Sequence, residues 1–381
     1  MKDKLRRRYR TMAWLDWLVR TLALVPIALT VLPLWRTPKW WVRVWDYPRL
    51  QLAVWLAVMA VAELVLLELA PAGVVILVAT LACLAWQLAQ IWRYTRLAPR
   101  QVQDAVADGS DRMVSVLIAN ILQTNREAGR FLAEVRRHDP DLVLVVETDR
   151  WWQEQLAPLE PGYPHRVLHP LDNTYGMLLY SRLPLSEVTV QDRVSQDIPS
   201  ISAKLRLPSG QLVNLHCVHP EPPQVDNDVE QRDAELLLVA EQVAQDRGPT
   251  IVCGDLNDVA WSHTTRLFQR ISGLLDPRVG RGLYPTFHAD YWFARWPLDH
   301  LFHDTCFRLV ELRVLGHVGS DHFPVLVRLR FDPDAEQAQA PAQDEPSAAD
   351  HEEARESIAE GFAAEREEQA EQAARPSPGG A

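Results

Sequence analysis

The chain has 381 residues, enough for one large domain or two modest ones. Its formal net charge is −11, and residues 332–381 alone carry 14 acidic and 3 basic side chains, so the remainder of the chain is neutral overall. This distribution argues against a protein that holds polynucleotides through a global basic excess, although it leaves a local basic groove open. The four cysteines have unrelated spacings, which predicts small buried side chains rather than a zinc site or a disulfide framework.

Residues 1–92 predict an integral membrane anchor. Three apolar segments follow a basic start, at about residues 14–35, 50–70 and 72–92, and the second and third have about the 20 residues that a bilayer span requires. The first segment is the weakest, because it contains Asp16, Arg20 and two prolines. A signal peptide has a single short apolar core, so the recurrence of apolar sequence favours about three transmembrane helices. Pro71, Ala72 and Gly73 predict a tight turn between the second and third.

The arrangement of basic residues predicts the side of the membrane on which the rest of the chain lies. Six basic residues precede the first segment, which favours a cytoplasmic N-terminus. Three spans then place everything after residue 92 on the outer side. The loop 36–49, with four basic residues, would lie there too, and this weakens the assignment. Tryptophans cluster at the segment ends, as in an interfacial belt: Trp35, Trp40, Trp41, Trp45 and Trp92.

After a polar linker at residues 93–112, residues 113–331 alternate between apolar runs of strand length and helical patterns. Strands are predicted at 113–120, 141–147, 176–182, 201–207, 211–219, 250–255 and 297–303, with a final pair near 307–314 and 323–331. Helices are predicted after Asn125 and before Gly248. The alternation predicts one α/β core, in which two halves of similar layout are possible.

The final segment, 332–381, is rich in Ala, Glu, Gln and Pro. Such a composition buries too little apolar surface to order itself, so we expect a disordered or partly helical acidic tail with no chemistry of its own.

Polar side chains stand where several of the predicted strands end. A charged group just past a buried strand projects from the edge of the sheet, where open α/β sheets bind their ligands. Any one of these residues alone is more often a helix cap or a structural hydrogen-bonding group than a functional group. The set consists of Asn120, Glu147, His219, Asp255, Asn257, Asp299, Asp321 and His322.

In their order and local contexts, these residues resemble the endonuclease/exonuclease/phosphatase superfamily, the DNase I-like group. The resemblance extends from about Val114 to Leu329. It is carried by Asn120 and Glu147 at strand ends, Ser181-Arg182-Leu183-Pro184, a strand-terminal histidine, Gly254-Asp255-Leu256-Asn257, Leu298-Asp299-His300 and Ser320-Asp321-His322-Phe323-Pro324. The apolar N-terminus is similar to that of a bacterial membrane-anchored branch. The resemblance implies an α+β four-layer sandwich of two packed mixed β-sheets flanked by helices.

The resemblance also implies a divalent metal, Mg²⁺ or Mn²⁺, held by Glu147. Asn120 would be a neutral oxygen ligand or a phosphate contact, and Asp321 would support either position. Oxygen ligands with few nitrogens suit these ions. Some nucleases of the superfamily have a further carboxylate two residues after the first Asn. Leu122 stands there in this chain, which argues against a second metal on that side.

The remaining positions are implied to act on water and phosphate. Asp255 would orient or deprotonate the attacking water, and Asn257 would donate hydrogen bonds to the developing oxyanion. His322 would serve as acid, base or electrostatic stabiliser, with its tautomer fixed by Asp299. His219 is preferred to His216 as the second phosphate-facing histidine, because it ends the strand and the two point to opposite faces.

Three further residues are candidates for substrate binding: Asn173, Arg182 and Arg232. Bracing of loops is the alternative role for each, and the more common one. Aromatic residues between positions 261 and 296 could stack on bases or pack the loop above the sheet.

The sequence thus predicts a membrane-anchored, divalent-metal-dependent phosphodiester hydrolase of the endonuclease type, with its catalytic domain on the periplasmic or extracellular side of a bacterial plasma membrane. The expected partners are a phosphodiester substrate and the lipid bilayer. One alternative is hydrolysis of a phospholipid or inositol phosphate, as in sphingomyelinases. A non-enzymatic alternative is a membrane-tethered binding or scaffold protein, which predicts an eroded site.

Overall fold

A computed structural model describes residues 2–65, 71–224, 228–342 and 345–374. The helices are α1 (Lys2–Val31), α2 (Trp40–Arg43), α3 (Arg49–Val65), α4 (Pro71–Ile91), α5 (Ala128–His138), α6 (Arg150–Leu156), α7 (Glu230–Gln245), α8 (His263–Ser272), α9 (Ala335–Gln339) and α10 (Ala348–Ala374). The strands are β1 (Met113–Asn120), β2 (Leu142–Val146), β3 (His165–His169), β4 (Met177–Ser181), β5 (Leu185–Asp192), β6 (Pro199–Arg206), β7 (Leu212–Val218), β8 (Thr250–Asp255), β9 (Asp299–His303), β10 (Phe307–Val314) and β11 (Val325–Phe331).

The strands form two mixed sheets. The first has the order β10-β11-β1-β2-β4-β3 and the second has the order β5-β6-β7-β8-β9. Valine, isoleucine and leucine dominate the central strands, and every residue of β2 and β8 is buried, as a strand covered on both faces requires. Side chains such as Ile118 and Leu144 from the first sheet pack with Leu215 and Ile251 from the second in one core.

Helices cover the outer face of each sheet. Phe131 and Trp152, from α5 and α6, pack on the first sheet, and Leu236 and Phe268, from α7 and α8, pack on the second. The layers therefore run helix, sheet, sheet, helix, and the predicted four-layer sandwich is confirmed.

The two sheets share one local plan. In each, a central parallel pair is flanked on both sides by antiparallel strands: β11-β1-β2-β4 in the first sheet and β6-β7-β8-β9 in the second. The parallel strands β1 and β2 end together, since Asn120 is in register with Val146. Strands β7 and β8 likewise end together, with Val218 in register with Gly254. This layout matches the possibility of two similar halves.

The N-terminal helices expose apolar side chains. Two helical stretches, Trp17–Leu34 and Pro71–Tyr94, are long and apolar enough to cross a membrane, and the weakest predicted segment is one of them. Helix α3 has 17 residues and passes the same test only together with Trp40–Asp46, from which it is bent by 73°. Residues 66–70, including the end of the second predicted span, lie outside the described part of the chain.

The turn predicted at residues 71–73 was wrong. Pro71 is the first residue of α4, where its missing N–H and fixed φ are compatible with a helix N-terminus. Helices α3 and α4 nevertheless pack against one another.

The linker and tail both contact the domain. Tyr94 and Val102 are buried, and Asp104 forms a β-bridge with Leu309. In the tail, α10 packs along α7, and a Cβ on Gly361 would lie 2.3 Å from the Cβ of Ala234. The tail is thus helical between residues 348 and 374 because it docks on another helix, and its residues 375–381 are not described. The division into anchor, linker, domain and tail stays a prediction.

Candidate active site

Polar residues from both sheets meet at one edge of the sandwich, which we call the site edge. In the first sheet, β1 and β2 end there and the antiparallel β11 begins there, which places Asn120, Glu147 and the segment before Val325 together. In the second sheet, β7 and β8 end at the same edge and β9 begins with Asp299, directly opposite Asp255. Because the sheets pack face to face, residues distant in sequence become neighbours.

Asn120 connects the two sheets. Its Nδ2 donates to Glu147 Oε1 at 2.7 Å, in its own sheet, and lies 3.0 Å from Asp255 Oδ2, in the other sheet. Its Oδ1 accepts from the backbone N–H of Leu122 at 3.0 Å, which fixes the orientation of the amide. The side chain is buried, so both carboxylates are held near each other by a neutral donor.

His322 lies between two carboxylates. Its Nδ1 is 2.9 Å from Asp299 Oδ2, and its Nε2 is 3.6 Å from Asp255 Oδ2. Ser320 supports this arrangement, because its hydroxyl accepts from the backbone N–H of His322 at 3.0 Å and donates to the carbonyl of Asn120 at 2.8 Å. Burial opposes a charge on the ring, but Asp299 and Asp255 outweigh burial and raise the pKa of His322 to about 10.

Glu147 is a carboxylate with neutral hydrogen-bond donors. It follows β2 in the left-handed region, with φ +58°, an uncommon conformation for a residue other than glycine. Its oxygens accept from the Asn120 amide and from the backbone N–H of Gln123 at 3.4 Å. Burial raises the pKa of Glu147 to about 7, although the Asn120 hydrogen bond and the charge of His322 act in the opposite direction. A cation at this carboxylate would favour its ionised form.

His219, Asn257 and Asp321 border this cluster. Burial lowers the pKa of His219 to about 4, so its ring is neutral, and it lies 5.6 Å from the ring of Tyr175. The backbone N–H of Asn257 donates to Asp255 Oδ1 at 2.9 Å, while its side-chain Nδ2 donates to the carbonyl of Pro220. Asp321 precedes His322 and accepts from Ala289 through its backbone carbonyl.

Comparison with known proteins identifies this arrangement. The model of the endonuclease/exonuclease/phosphatase family matches residues 117–322, which include all eight strand-end residues. The chain belongs to this family. A curated relative, UPF0294 protein YE0917 of Yersinia enterocolitica, is 27% identical over 215 residues, covering 54% of this chain and 74% of the relative.

Solved structures of similar proteins include three with sequence identities of 16–22%. Humanised D. rerio TDP2 is 16% identical, with 58% of this chain and all of that chain covered and a TM-score of 0.48. A family member from Beutenbergia cavernae is 22% identical, with 58% and 72% covered and a TM-score of 0.47. The catalytic domain of human Nocturnin is 18% identical, with 61% and 97% covered and a TM-score of 0.47.

Two of the three candidates for substrate binding lie away from the cluster in this endonuclease/exonuclease/phosphatase domain. Arg232 is buried and ion-paired with Asp233, and it donates to the carbonyl of Asn257 at 2.9 Å, so it braces the loop behind the site. Arg182 follows β4 at the opposite end from the site edge, where it pairs with Asp139. Both positions match the bracing alternative.

Asn173 and the two histidines complete the set of candidates. Asn173 is exposed on the loop between β3 and β4, which does lie at the site edge, and it donates to the carbonyl of Asp197 at 2.8 Å. His216 is interior and bonded to Ser202 and Asp246, whereas His219 adjoins Asp255. His219 thus lies beside the cluster and His216 does not; the choice of His219 as a phosphate contact stays a prediction.

Two groups of this family site have the chemistry to hold a metal ion. Ligand atoms of Asp255, Asp299 and His322 lie within 4.8 Å of one another. However, Nδ1 of His322 is hydrogen-bonded to Asp299 and its Nε2 faces Asp255, so both ring nitrogens are already engaged by carboxylates. Glu147 has neutral hydrogen-bond donors and no cationic partner in contact, so its carboxylate is the better match for Mg²⁺ or Mn²⁺; the amide nitrogen of Asn120, and not its oxygen, faces this carboxylate.

Residues outside the predicted set also shape the site. The Tyr47 hydroxyl, in the loop between the first two apolar helices, donates to the carbonyl of Asn257 at 2.5 Å. A Cβ on Gly254 would lie 1.9 Å from the carbonyl oxygen of Val218, and its φ is +149°, so the close approach of β7 and β8 behind Asp255 requires glycine. The glycine is visible in the Gly-Asp-x-Asn motif. No sequence signal indicates the role of Tyr47, because its partner is 210 residues away.

Proposed function

We propose that this chain is a membrane-anchored, divalent-metal-dependent phosphodiester hydrolase of the endonuclease type. The observation that carries the proposal is that Glu147, Asp255 and His322 lie together in one cluster. The amide nitrogen of Asn120 is 2.7 Å from Glu147 and 3.0 Å from Asp255, and Asp255 is 3.6 Å from His322. A scaffold protein would have no need to keep a buried cationic histidine between two carboxylates. Family membership supports a hydrolase as well.

In the proposed mechanism, Asp255 is the general base. Its Oδ2 lies 3.6 Å from Nε2 of His322 and 3.0 Å from the amide nitrogen of Asn120, which hold the carboxylate in place. Asp255 takes a proton from water as the water oxygen bonds to phosphorus, and the bond from phosphorus to the leaving oxygen breaks with its electron pair going to that oxygen. Asp299 holds His322 in place, so that the positive charge faces the phosphoryl oxygens.

The metal site is proposed at Glu147, with Asn120 and Asp321 beside it. A divalent cation bound there supplies charge stabilisation to the phosphoryl group. Asn257 and His219 are proposed to contact the phosphate, His219 as a neutral donor or acceptor since its pKa is about 4.

The membrane location is proposed from the apolar helices and their contacts with the domain. The loop 36–49 docks on the domain through Lys39–Asp228 and Arg43–Asp233 ion pairs, and it must therefore lie on the same side of the membrane as the active site. Three crossings by α1, α3 and α4 satisfy this condition. The loop's basic residues have acidic partners in the folded chain. We propose a cytoplasmic N-terminus and a periplasmic or extracellular domain.

The test uses the full-length chain in detergent with Mg²⁺, offered bis(p-nitrophenyl) phosphate, plasmid DNA and RNA. We expect Asp255→Asn to reduce turnover by about 10²–10⁴, the contribution of a general base. The matched control is Asp111→Asn, an exposed residue just before β1. Equal turnover by the wild type and Asp255→Asn would reject the proposed mechanism.

A second candidate function, hydrolysis of a phospholipid or inositol phosphoester, is favoured by one loop. Tyr291, Trp292 and Phe293 are 51%, 82% and 59% exposed. The carbonyl of Phe293 accepts from Gln51, in the first turn of α3, at 2.9 Å. On the other side, the ring of Phe287 lies 4.9 Å from that of His322. The loop thus connects the start of a membrane helix with the active site, where exposed aromatic rings would enter a bilayer interface.

The two candidates differ in how they depend on this loop. If lipid is the substrate, the double substitution Trp292→Ser and Phe293→Ser lowers turnover of a vesicle phospholipid but leaves turnover of soluble bis(p-nitrophenyl) phosphate unchanged. Cleavage of DNA or RNA by the wild type, without turnover of any phospholipid, would eliminate the lipid candidate.

A further inference from the structure

A basic cavity lies between the apolar helices and the domain. It has a volume of about 280 Å³. Its walls come from the end of the first apolar stretch (Pro33 and Leu34), the last turns of α4 (Trp86 and Gln90) and the domain segment 261–266. Nothing in the catalytic arrangement uses it.

Arginine dominates the polar lining. Arg36, Arg43, Arg49 and Arg266 line the cavity, and Asp46 is the one carboxylate among the lining residues that the structure describes. Arg36 and Arg43 have acidic partners behind the cavity wall, at 3.9 Å (Glu353) and 3.6 Å (Asp233). Asp46 is therefore the carboxylate that must balance most of the positive charge of Arg49 and Arg266.

Arg49 and Arg266 retain unused donors. Arg49 is 6% exposed; it pairs with Asp46 and donates to Gln87 at 3.1 Å, yet its Nε has no hydrogen-bond partner among the described residues. Arg266 donates to the carbonyl of Gln90 at 2.9 Å, and its buried Nε also lacks a described partner. Burial and the nearby charge of Arg49 lower the pKa of Arg266. Both Nε atoms are closed off from solvent, so what a ligand in the cavity would meet is the charge of the two guanidinium groups that line it.

The position of the cavity indicates what kind of hydrogen-bond acceptor would bind in it. Trp35 and Trp86 are 60% and 42% exposed beside it, as tryptophans at the level of lipid headgroups are. Guanidinium groups match phosphate oxygens in geometry, so a cluster of them at the level of the headgroups favours the phosphate of an anionic lipid.

From these observations we infer that the cavity is a binding site for the phosphate of an anionic phospholipid, separate from the active site. A lipid seated there would have its acyl chains along α1 and α4 and its phosphate against Arg49 and Arg266. It would join the anchor to the segment that follows Asp255 and Asn257, since this segment also forms the cavity wall.

The test measures thermal unfolding of the full-length chain in detergent with EDTA, so that no metal-dependent turnover intervenes. We expect short-chain phosphatidylglycerol to raise Tm by about 3 °C or more at saturating concentration. Phosphatidylcholine should have a smaller effect. Arg266→Gln should weaken the apparent Kd for phosphatidylglycerol about tenfold, as the loss of one charged hydrogen bond predicts.

Arg96→Gln is the matched control, because Arg96 is exposed just after α4 and does not line this cavity. Its response should equal that of the wild type. The inference is overturned if phosphatidylglycerol and phosphatidylcholine shift Tm equally, or if Arg266→Gln keeps the full affinity. An equal shift by inorganic phosphate alone would assign the cavity to a free anion and overturn the lipid assignment. None of these outcomes depends on hydrolysis, so failure here and failure of the proposed function are distinguishable.

Discussion

A substitution of Arg232 can distinguish a role in supporting the loop behind the active site from a role in binding substrate. The side chain is 1% exposed and donates to Asp233 at 2.7 and 3.0 Å, to the Tyr47 hydroxyl at 3.2 Å and to the carbonyl of Asn257 at 2.9 Å. Asp258 lies 3.8 Å away. Arg232→Met keeps much of the volume but leaves two buried carboxylates with only part of their compensating charge, because Arg43 also faces Asp233.

Removing one partner of a buried ion pair costs about 3–5 kcal/mol. At about 2–4 °C for each kcal/mol, Tm should fall by roughly 6–20 °C. The assay combines thermal unfolding with the KM for bis(p-nitrophenyl) phosphate, measured well below the new Tm. Bracing predicts a large fall in Tm with KM changed less than about twofold. Arg206→Met, an exposed arginine on β6, should change stability by no more than about 0.5 kcal/mol. A Tm equal to that of the wild type, together with a KM raised tenfold, would refute the bracing argument and restore Arg232 as a substrate contact.

Two other predictions concern carboxylates. Glu147→Gln should raise the Mg²⁺ concentration for half-maximal turnover by at least about tenfold. The control Glu154→Gln, at an exposed position, should leave that concentration unchanged. If a metal titration gives both variants the same midpoint, Glu147 is not a metal ligand. Burial raises the pKa of Glu235 from 4.5 to about 8. Between those two pH values the unfolded chain releases a proton that the folded chain keeps, so stability falls as pH rises through this window. The free energy of unfolding of Glu235→Gln, relative to that of the wild type, should therefore rise by on the order of 3–4 kcal/mol between pH 4.5 and 8.5, as measured by urea unfolding. A difference that stays constant across that range would contradict the assignment.

The local sequence pattern was sufficient to predict the central strands of the two sheets. Continuous Val, Ile and Leu runs predicted β2 and β8 because a strand buried on both faces excludes polar side chains. The edge strands β3 and β5 were missed. Residues 185–192 are almost wholly exposed, and only Val188 and Val190 alternate with polar residues, so the apolar signal is short; the segment is a strand because it pairs with β6. Helices α6 and α8 were also missed, although Asp149 and Ser262 cap them in the usual way.

The sequence by itself determined which residues occupy the candidate site, because their order and contexts follow the family pattern from Asn120 to His322. Only the tertiary structure decided how these residues face one another. The distance from Asn120 to Asp255, 3.0 Å, depends on how two sheets pack, and no local pattern encodes that packing. The same holds for Tyr47 and the arginine-lined cavity, since contacts between segments about 200 residues apart exist only after the N-terminal helices and the domain have folded against each other.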